Sequence, residues 1–169
     1  MMRLIAIALF WPESMTLWFY KVEEPFGCFS NFSPHSIYLD GFDWPTSEHY
    51  YQAHKFDGSP FPARMHQIRQ APTPELAAAL GRDRTFPIRP DWEAVKWEVM
   101  YRAVLCKFQT HGEIRNILLG TGDELIVENS PRDWFWGCGA DQTGQNLLGK
   151  MLMQIRGELR YCSGPRQEH

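Results

Sequence analysis

The chain has 169 residues, enough for one domain with a sizeable core, and its 44% apolar and 22% charged residues match an ordinary soluble globular protein. A net charge of −3 leaves no extended basic face for a long stretch of nucleic acid, which points to a small ligand or a single nucleotide as partner. Aromatic residues reach 14%, with seven Trp, and a surplus of this kind beyond core needs lines ligand pockets.

Residues 1–15 read as an N-terminal extension, 16–162 as the domain and 163–169 as a polar tail. The apolar run within Met1 to Trp11 lacks the basic start and cleavage site of a signal peptide and is too short to span a bilayer, so the expected location is cytoplasmic. Leu17 to Tyr20 reads as a first strand. Ile37–Leu39 and Phe42–Trp44 flank Asp40-Gly41, a two-residue hairpin signal. Thr46, after Pro45, is a natural N-cap for a helix ending near Phe56. Two short helices follow, Ala63 to Ala71 and Pro74 to Leu80, with Gly81 as the stop of the second. Asp91 reads as the cap of the longest helix, whose apolar stripe is Trp92, Val95, Val99, Ala103 and Cys106. A helix from His111 to Leu119, a strand from Leu125 to Glu128 and a helix from Leu147 to Leu159 complete the chain. Helices outnumber strands without regular alternation. The expected class is α+β, a single helix-rich domain around a small, mostly antiparallel sheet.

The segment from Thr46 to Lys55 concentrates the chemistry. On a helix, Glu48, Gln52 and Lys55 are spaced by four and three and share one face. Taken alone, Glu48 is a first-turn acid and Lys55 a helix-end cation, both favoured by the macrodipole at a surface. In a pocket the same pair is an acid and an amine nucleophile. Polar–aromatic clusters favour the pocket: Phe29-Ser-Asn-Phe32, Tyr50-Tyr51 and Asp133-Trp-Phe-Trp-Gly137 do not follow core periodicity. Gly81-Arg-Asp-Arg84 offers guanidiniums after a helix stop, suited to a phosphate or to a local Arg–Asp pair. Gly144 to Gly149 could wrap a phosphate at a helix N-terminus or form a plain cap, and it is not a P-loop. His49 and His54 are five apart, on different faces, and the four Cys form no metal-ligand spacing, so neither metal nor cofactor is expected. The scattered Cys read as free thiols in a reducing compartment. No Gly-x-Ser-x-Gly elbow is present.

Trp44-Pro-Thr-Ser-Glu-His-Tyr-Tyr-Gln-Ala-His-Lys-Phe56 closely resembles the signature of the NADAR (YbiA-like) family. So do Phe29-Ser-Asn-Phe32, Gly81-Arg-Asp-Arg84, the Trp92 helix with Lys107-Phe108, Leu125-Ile-Val-Glu128, Trp136-Gly137 and Asn146-x-Leu-Gly149, all in order from about Leu17 to Leu159. The resemblance implies a YbiA-like fold and hydrolysis of an N-glycosidic bond to a 5′-phosphorylated ribose. Family members of the YbiA type cleave phosphoribosylaminopyrimidine intermediates of riboflavin synthesis; others remove ADP-ribose from modified guanine in nucleic acid. It implies Glu48 as acid or base, and Lys55 as a Schiff-base nucleophile or a fixed cation. Asp133 is then a second carboxylate, Trp136 with Phe29 or Phe32 the stacking rings, Asn31 a ribose contact beside Ser30, and Arg82 the phosphate contact. His49, Gln52, Gly137 and Asn146 join the substrate-binding set by motif position. A third reading is an ADP-ribose-binding module without turnover; the presence of both Glu48 and Lys55 counts against it. No extended nucleic-acid face and no membrane partner are expected.

Overall fold

A computed structural model describes residues 15–162; all but the last residue of the 1–15 extension, and the polar tail over 163–169, lie outside the described residues. The α+β class stands, with six α-helices and four short strands among the described residues. The sheet differs from expectation. It is two separate ladders, and only one is antiparallel.

The antiparallel ladder is the hairpin. β2 (Ile37–Leu39) pairs with β3 (Phe42–Trp44) in the register Leu39↔Phe42. Asp40 and Gly41 both have positive φ, at 54° and 82°, as the two-residue turn demands. The other ladder is parallel. β1 (Thr16–Phe19) pairs with β4 (Leu125–Glu128), Thr16 opposite Leu125 and Phe19 opposite Glu128. The partners lie at opposite ends of the chain, so local periodicity carries no sign of their pairing.

α1 (Ser47–Ala53) is the central element, continued by a 3-10 turn over His54–Phe56. Against it pack α2 (Pro62–Arg69), α3 (Pro74–Arg82) and α4 (Trp92–Thr110). α3 does not stop at Gly81; it runs on to Arg82. α4 begins at the predicted place, yet the Asp91 side chain makes no cap bond and instead binds Arg89 at 2.6 and 2.9 Å. α5 (Gly112–Gly120) and α6 (Leu147–Cys162) close the other side, α6 lying on β4. The core is one aromatic-rich cluster that includes Phe19, Phe29, Tyr50, Phe56, Trp92 and Phe108. Among the described residues no helix is long and apolar enough to cross a membrane, and Cys28, Cys106 and Cys138 are free thiols.

The segments following β1 and β4 both help to line one cavity. This is where parallel strands place ligands, beyond their carboxyl ends.

Candidate active site

The Thr46 Oγ1 accepts the His49 N–H at 3.3 Å, which starts α1 as the sequence predicts. Every residue from Ser47 to Ala53 is buried, polar ones included. Glu48 is only 4% exposed, and that excludes the surface ion pair. Gln52 Nε2 donates to Glu48 Oε1 at 2.7 Å, one turn along the same face. Burial raises the Glu48 carboxyl above its ordinary value, against the Gln52 hydrogen bond and the charges of Arg82 and Lys55; Asp133 pushes it further up.

Lys55 sits in the turn that ends the helix. Its Nζ donates to the Gly81 carbonyl at 3.2 Å and stands 5.6 and 5.9 Å from the ring centroids of Tyr51 and Trp92. Desolvation lowers its amine to about 8, opposed by Glu48 and assisted by Arg82. A useful fraction of neutral amine is thus present near neutral pH.

Glu48 and Gln52 face a cavity of about 1010 Å³. Ser30, Asn31 and Phe32 form one wall, tied to α1 by the Glu48 N–H, which donates to the Asn31 carbonyl at 3.1 Å. Asn31 Nδ2 points to Met100 Sδ at 3.2 Å, and its Oδ1 is buried without a hydrogen-bond partner. Behind this loop stands a fully buried Lys107, whose Nζ donates to the Ser30 carbonyl at 2.8 Å and to Ser33 Oγ at 2.6 Å. Arg82 lines the cavity from the end of α3. The Arg–Asp pair foreseen in this loop is made by Arg64 instead, 2.9 Å from Asp83 and 3.2 Å from the Leu80 carbonyl. α3 can approach α1 so closely because Gly81 has no side chain: a Cβ there would stand 2.1 Å from Gln52 Oε1 and 2.8 Å from Gln52 Cβ.

The loop after β4 supplies Asp133 and the rings of Phe135 and Trp136. Asp133 Oδ1 accepts the N–H groups of Phe135 at 2.8 Å and Trp136 at 2.7 Å, so this carboxylate shapes the turn that presents the rings. Trp136 Nε1 donates to Tyr51 Oη at 3.3 Å, and the two rings meet edge to face at 5.6 Å. Among the described residues no group of three or more His, Cys, Asp and Glu is arranged to hold a metal ion.

A family model described as the NADAR domain matches residues 18–160. The chain belongs to the NADAR family. An N-glycosidase from Nostoc punctiforme is 59% identical over 146 residues, covering 86% of this chain and 94% of that protein. The N-glycosidase YbiA of Escherichia coli K12 is 43% identical over 141 residues, covering 83% of this chain and 86% of that one. A chloroplastic riboflavin biosynthesis protein PYRR of Zea mays is 50% identical over 159 residues, across 87% of this chain but only 26% of that longer protein. The NMR structure of Escherichia coli YbiA matches with a TM-score of 0.82 at 39% identity, over 93% of both chains.

The NADAR signature divides spatially into two groups. Glu48, Gln52, Ser30, Asn31, Phe32, Arg82, Asp133 and Trp136 line the cavity; Lys55 does not line it, and its Nζ stands 5.6 Å from the ring centroid of the wall residue Tyr51. Phe29, His49, Gly137 and Asn146 do not line it. Phe29 is core, fully buried against Phe19, Phe26 and Phe108. His49 has both ring nitrogens engaged, Nδ1 with Thr46 Oγ1 at 2.8 Å and Nε2 with the Ala71 carbonyl at 3.0 Å, so it fastens α1 to the end of α2. Gly137 lets two segments close, since a Cβ there would lie 2.8 Å from Ser130 Cβ. Asn146 bridges β4, Oδ1 accepting the Glu128 N–H and Nδ2 donating to the Ile126 carbonyl, each at 2.9 Å. Gly149, at the start of α6, meets β4 rather than a phosphate: a Cβ there would stand 2.2 Å from the Ile126 carbonyl.

Among the cavity residues absent from the candidate set, Tyr51 and Glu128 bear most on the chemistry. Tyr51 was visible only as half of an aromatic pair. Glu128 lines the cavity, its Oε2 is buried without a partner, and burial with the nearby Asp133 and Glu48 pushes its carboxyl up to about 8. It closes Leu125-Ile-Val-Glu128, one of the motifs that carry the family resemblance, but an acid after three apolar residues also describes a strand end in solvent, and the motif by itself gives Glu128 no role.

Proposed function

We infer that this chain is an N-glycosidase that hydrolyses the C–N bond between a 5′-phosphorylated ribose and a base, acting on phosphoribosylaminopyrimidine intermediates of riboflavin synthesis. The observation that carries this reading is the pairing, on α1 and the 3-10 turn that continues it, of a buried carboxyl raised by desolvation with an amine lowered to about 8. Relatives named as N-glycosidases and as riboflavin biosynthesis proteins support the reaction and its pathway. Free thiols support a reducing, cytoplasmic setting.

Cleavage leaves an oxocarbenium-like C1′. Lys55, as neutral amine, attacks that carbon; the ribose ring opens to an imine, and water hydrolyses it to ribose 5-phosphate and free Lys55. Glu48 takes and returns the protons of the attacking amine and water. Arg82 holds the 5′-phosphate, and Asn31 the ribose hydroxyls. Phe32 and Trp136 enclose the base. The cavity rim carries Glu23 and Glu75 as well as Lys21 and Arg132, which favours a small substrate over a polyanionic strand.

Incubation with the riboflavin-pathway phosphoribosylaminopyrimidine is expected to release ribose 5-phosphate. An ADP-ribosylated guanine oligonucleotide in parallel is expected to stay intact; the reverse result would replace the substrate. Borohydride added during turnover should fix a sugar remnant on Lys55, and its absence in a single turnover sinks the imine route. Lys55→Arg keeps the charge without the nucleophile and is expected to lose most activity.

A further inference from the structure

We propose that Glu128 is the acid that protonates the departing base. The proposal rests on the N-glycosidase reading and assigns that reaction a proton donor separate from Glu48.

Glu128 is held from both sides along its backbone. Its N–H donates to Asn146 Oδ1 at 2.9 Å, and its carbonyl accepts the Cys138 N–H at 2.9 Å. Asn146 adopts a left-handed backbone (φ 50°) and donates its own N–H to the Gly137 carbonyl at 3.0 Å. Glycine is needed twice around this latch. A Cβ at Gly137 would lie 3.1 Å from the Glu128 carbonyl, and one at Gly149 would lie 2.5 Å from the Asn146 side chain. Three signature residues outside the cavity thus fix the backbone of one acid inside it, as a preorganised site requires.

The side chain is left unsatisfied. Glu128 Oε2 is buried with no hydrogen-bond partner, whereas buried polar atoms almost always have one. A ligand in the cavity is the partner its position calls for. Glu128 and the rings of Phe135 and Trp136 come from the same end of β4, whereas Glu48 comes from α1 and Lys55 from the 3-10 turn that continues it. An acid beside the stacking rings serves the base; an acid beside the amine serves the ribose carbon. Asp133 is a poorer donor, since its Oδ1 already accepts two N–H groups. Held near 8, the Glu128 carboxyl keeps its proton at neutral pH and is ready to release it.

The step balances without an added reagent. As the C1′–N bond breaks, its electron pair passes to nitrogen, and the Glu128 proton moves to that nitrogen or to a ring atom conjugated with it. Glu128 is left as carboxylate. The water that completes hydrolysis gives its oxygen and one proton to the sugar, and its second proton restores Glu128.

The test compares leaving groups, using Glu128→Gln and the full chain. A 4-nitrophenyl riboside 5-phosphate releases a phenolate that needs no proton, unlike the aminopyrimidine. We expect Glu128→Gln to lose about 10²–10⁴-fold in kcat on the aminopyrimidine and to stay within about tenfold of wild type on the nitrophenyl substrate. Equal losses on both substrates, or no loss on either, would overturn the assignment. Should the variant fail to fold, the wild-type pH profile decides: an alkaline fall present for the aminopyrimidine and missing for the nitrophenyl substrate upholds it, and identical alkaline limbs overturn it. Wild type that cleaves neither substrate overturns the N-glycosidase reading itself, and this proposal with it.

Discussion

Lys55 and Glu128 are shifted in opposite directions to nearly the same place, each to about 8. In the mechanism proposed above Lys55 acts as the neutral amine, so rate rises as pH climbs through its pKa. Glu128 acts as the neutral acid, so rate falls as pH climbs through its own. The product is a narrow bell for kcat/KM with its maximum near pH 8, to be checked with the aminopyrimidine substrate across about pH 6–10. Lys55→Arg should remove the bell along with the activity. The Thr46–Lys55 stretch was legible because its residue types and spacing are unusual together. Their depth was not legible, since a Glu and a Lys on one helical stripe read equally well as a solvated pair. Glu128 was hidden for a related reason: one carboxylate after three apolar residues marks a strand end unless the opposite wall is known.

Helix α1 breaks the rule that a helix turns its polar face outward. Glu48, His49 and Gln52 are all buried, so α1 gains little from amphipathicity and depends on what is packed around it. Gly81 is one such dependence. Gly81→Ala would drive a Cβ into Gln52, parting α3 from α1 and displacing the Glu48 hydrogen bond. The expected cost is about 1–3 kcal/mol in urea unfolding, together with a fall in kcat. The Ser30–Ser33 loop depends on α4 in the same way, through Lys107. Lys107→Met removes one hydrogen bond from the Ser30 carbonyl and one from Ser33 Oγ, leaving only the Ser33 N–H on the first and the Cys28 carbonyl on the second, which should cost about 1–3 kcal/mol and raise KM more than it lowers kcat.

The same lysine gives a signed pH test. Burial lowers it to about 7 from its ordinary 10.5, so between those values the unfolded chain binds the extra proton. Wild-type stability relative to Lys107→Met should therefore rise from pH 7 toward pH 10, and stay flat below 7 where both states carry the charge. Helix periodicity placed α4 correctly, and Lys107, four residues after Ala103, falls on its buried face, but residue type alone gave no hint that a Lys there is among the helix's most buried residues. The hairpin, by contrast, was fully legible, because Asp40-Gly41 specifies its turn within two residues.

At the scale of the whole molecule, stability comes from one aromatic core without covalent staples among the described residues. Thermal midpoints measured with and without dithiothreitol should coincide, and a drop on reduction would show a disulfide contribution. The α+β class could be read from the chain, but the parallel pairing of β1 with β4 could not, since it joins Thr16 to Leu125 across most of the sequence. That pairing also sets an order in time. During synthesis Glu48, Lys55 and Arg82 leave the ribosome first, while β4 and the loop bearing Asp133 and Trp136 emerge later, followed by α6. Contacts so distant in sequence form slowly. A nascent or truncated chain that stops before residue 125 carries Lys55 and Arg82, yet it lacks Glu128 and the cavity wall built by the loop after β4. On the roles proposed for these residues, turnover waits for β4 and the loop that follows it.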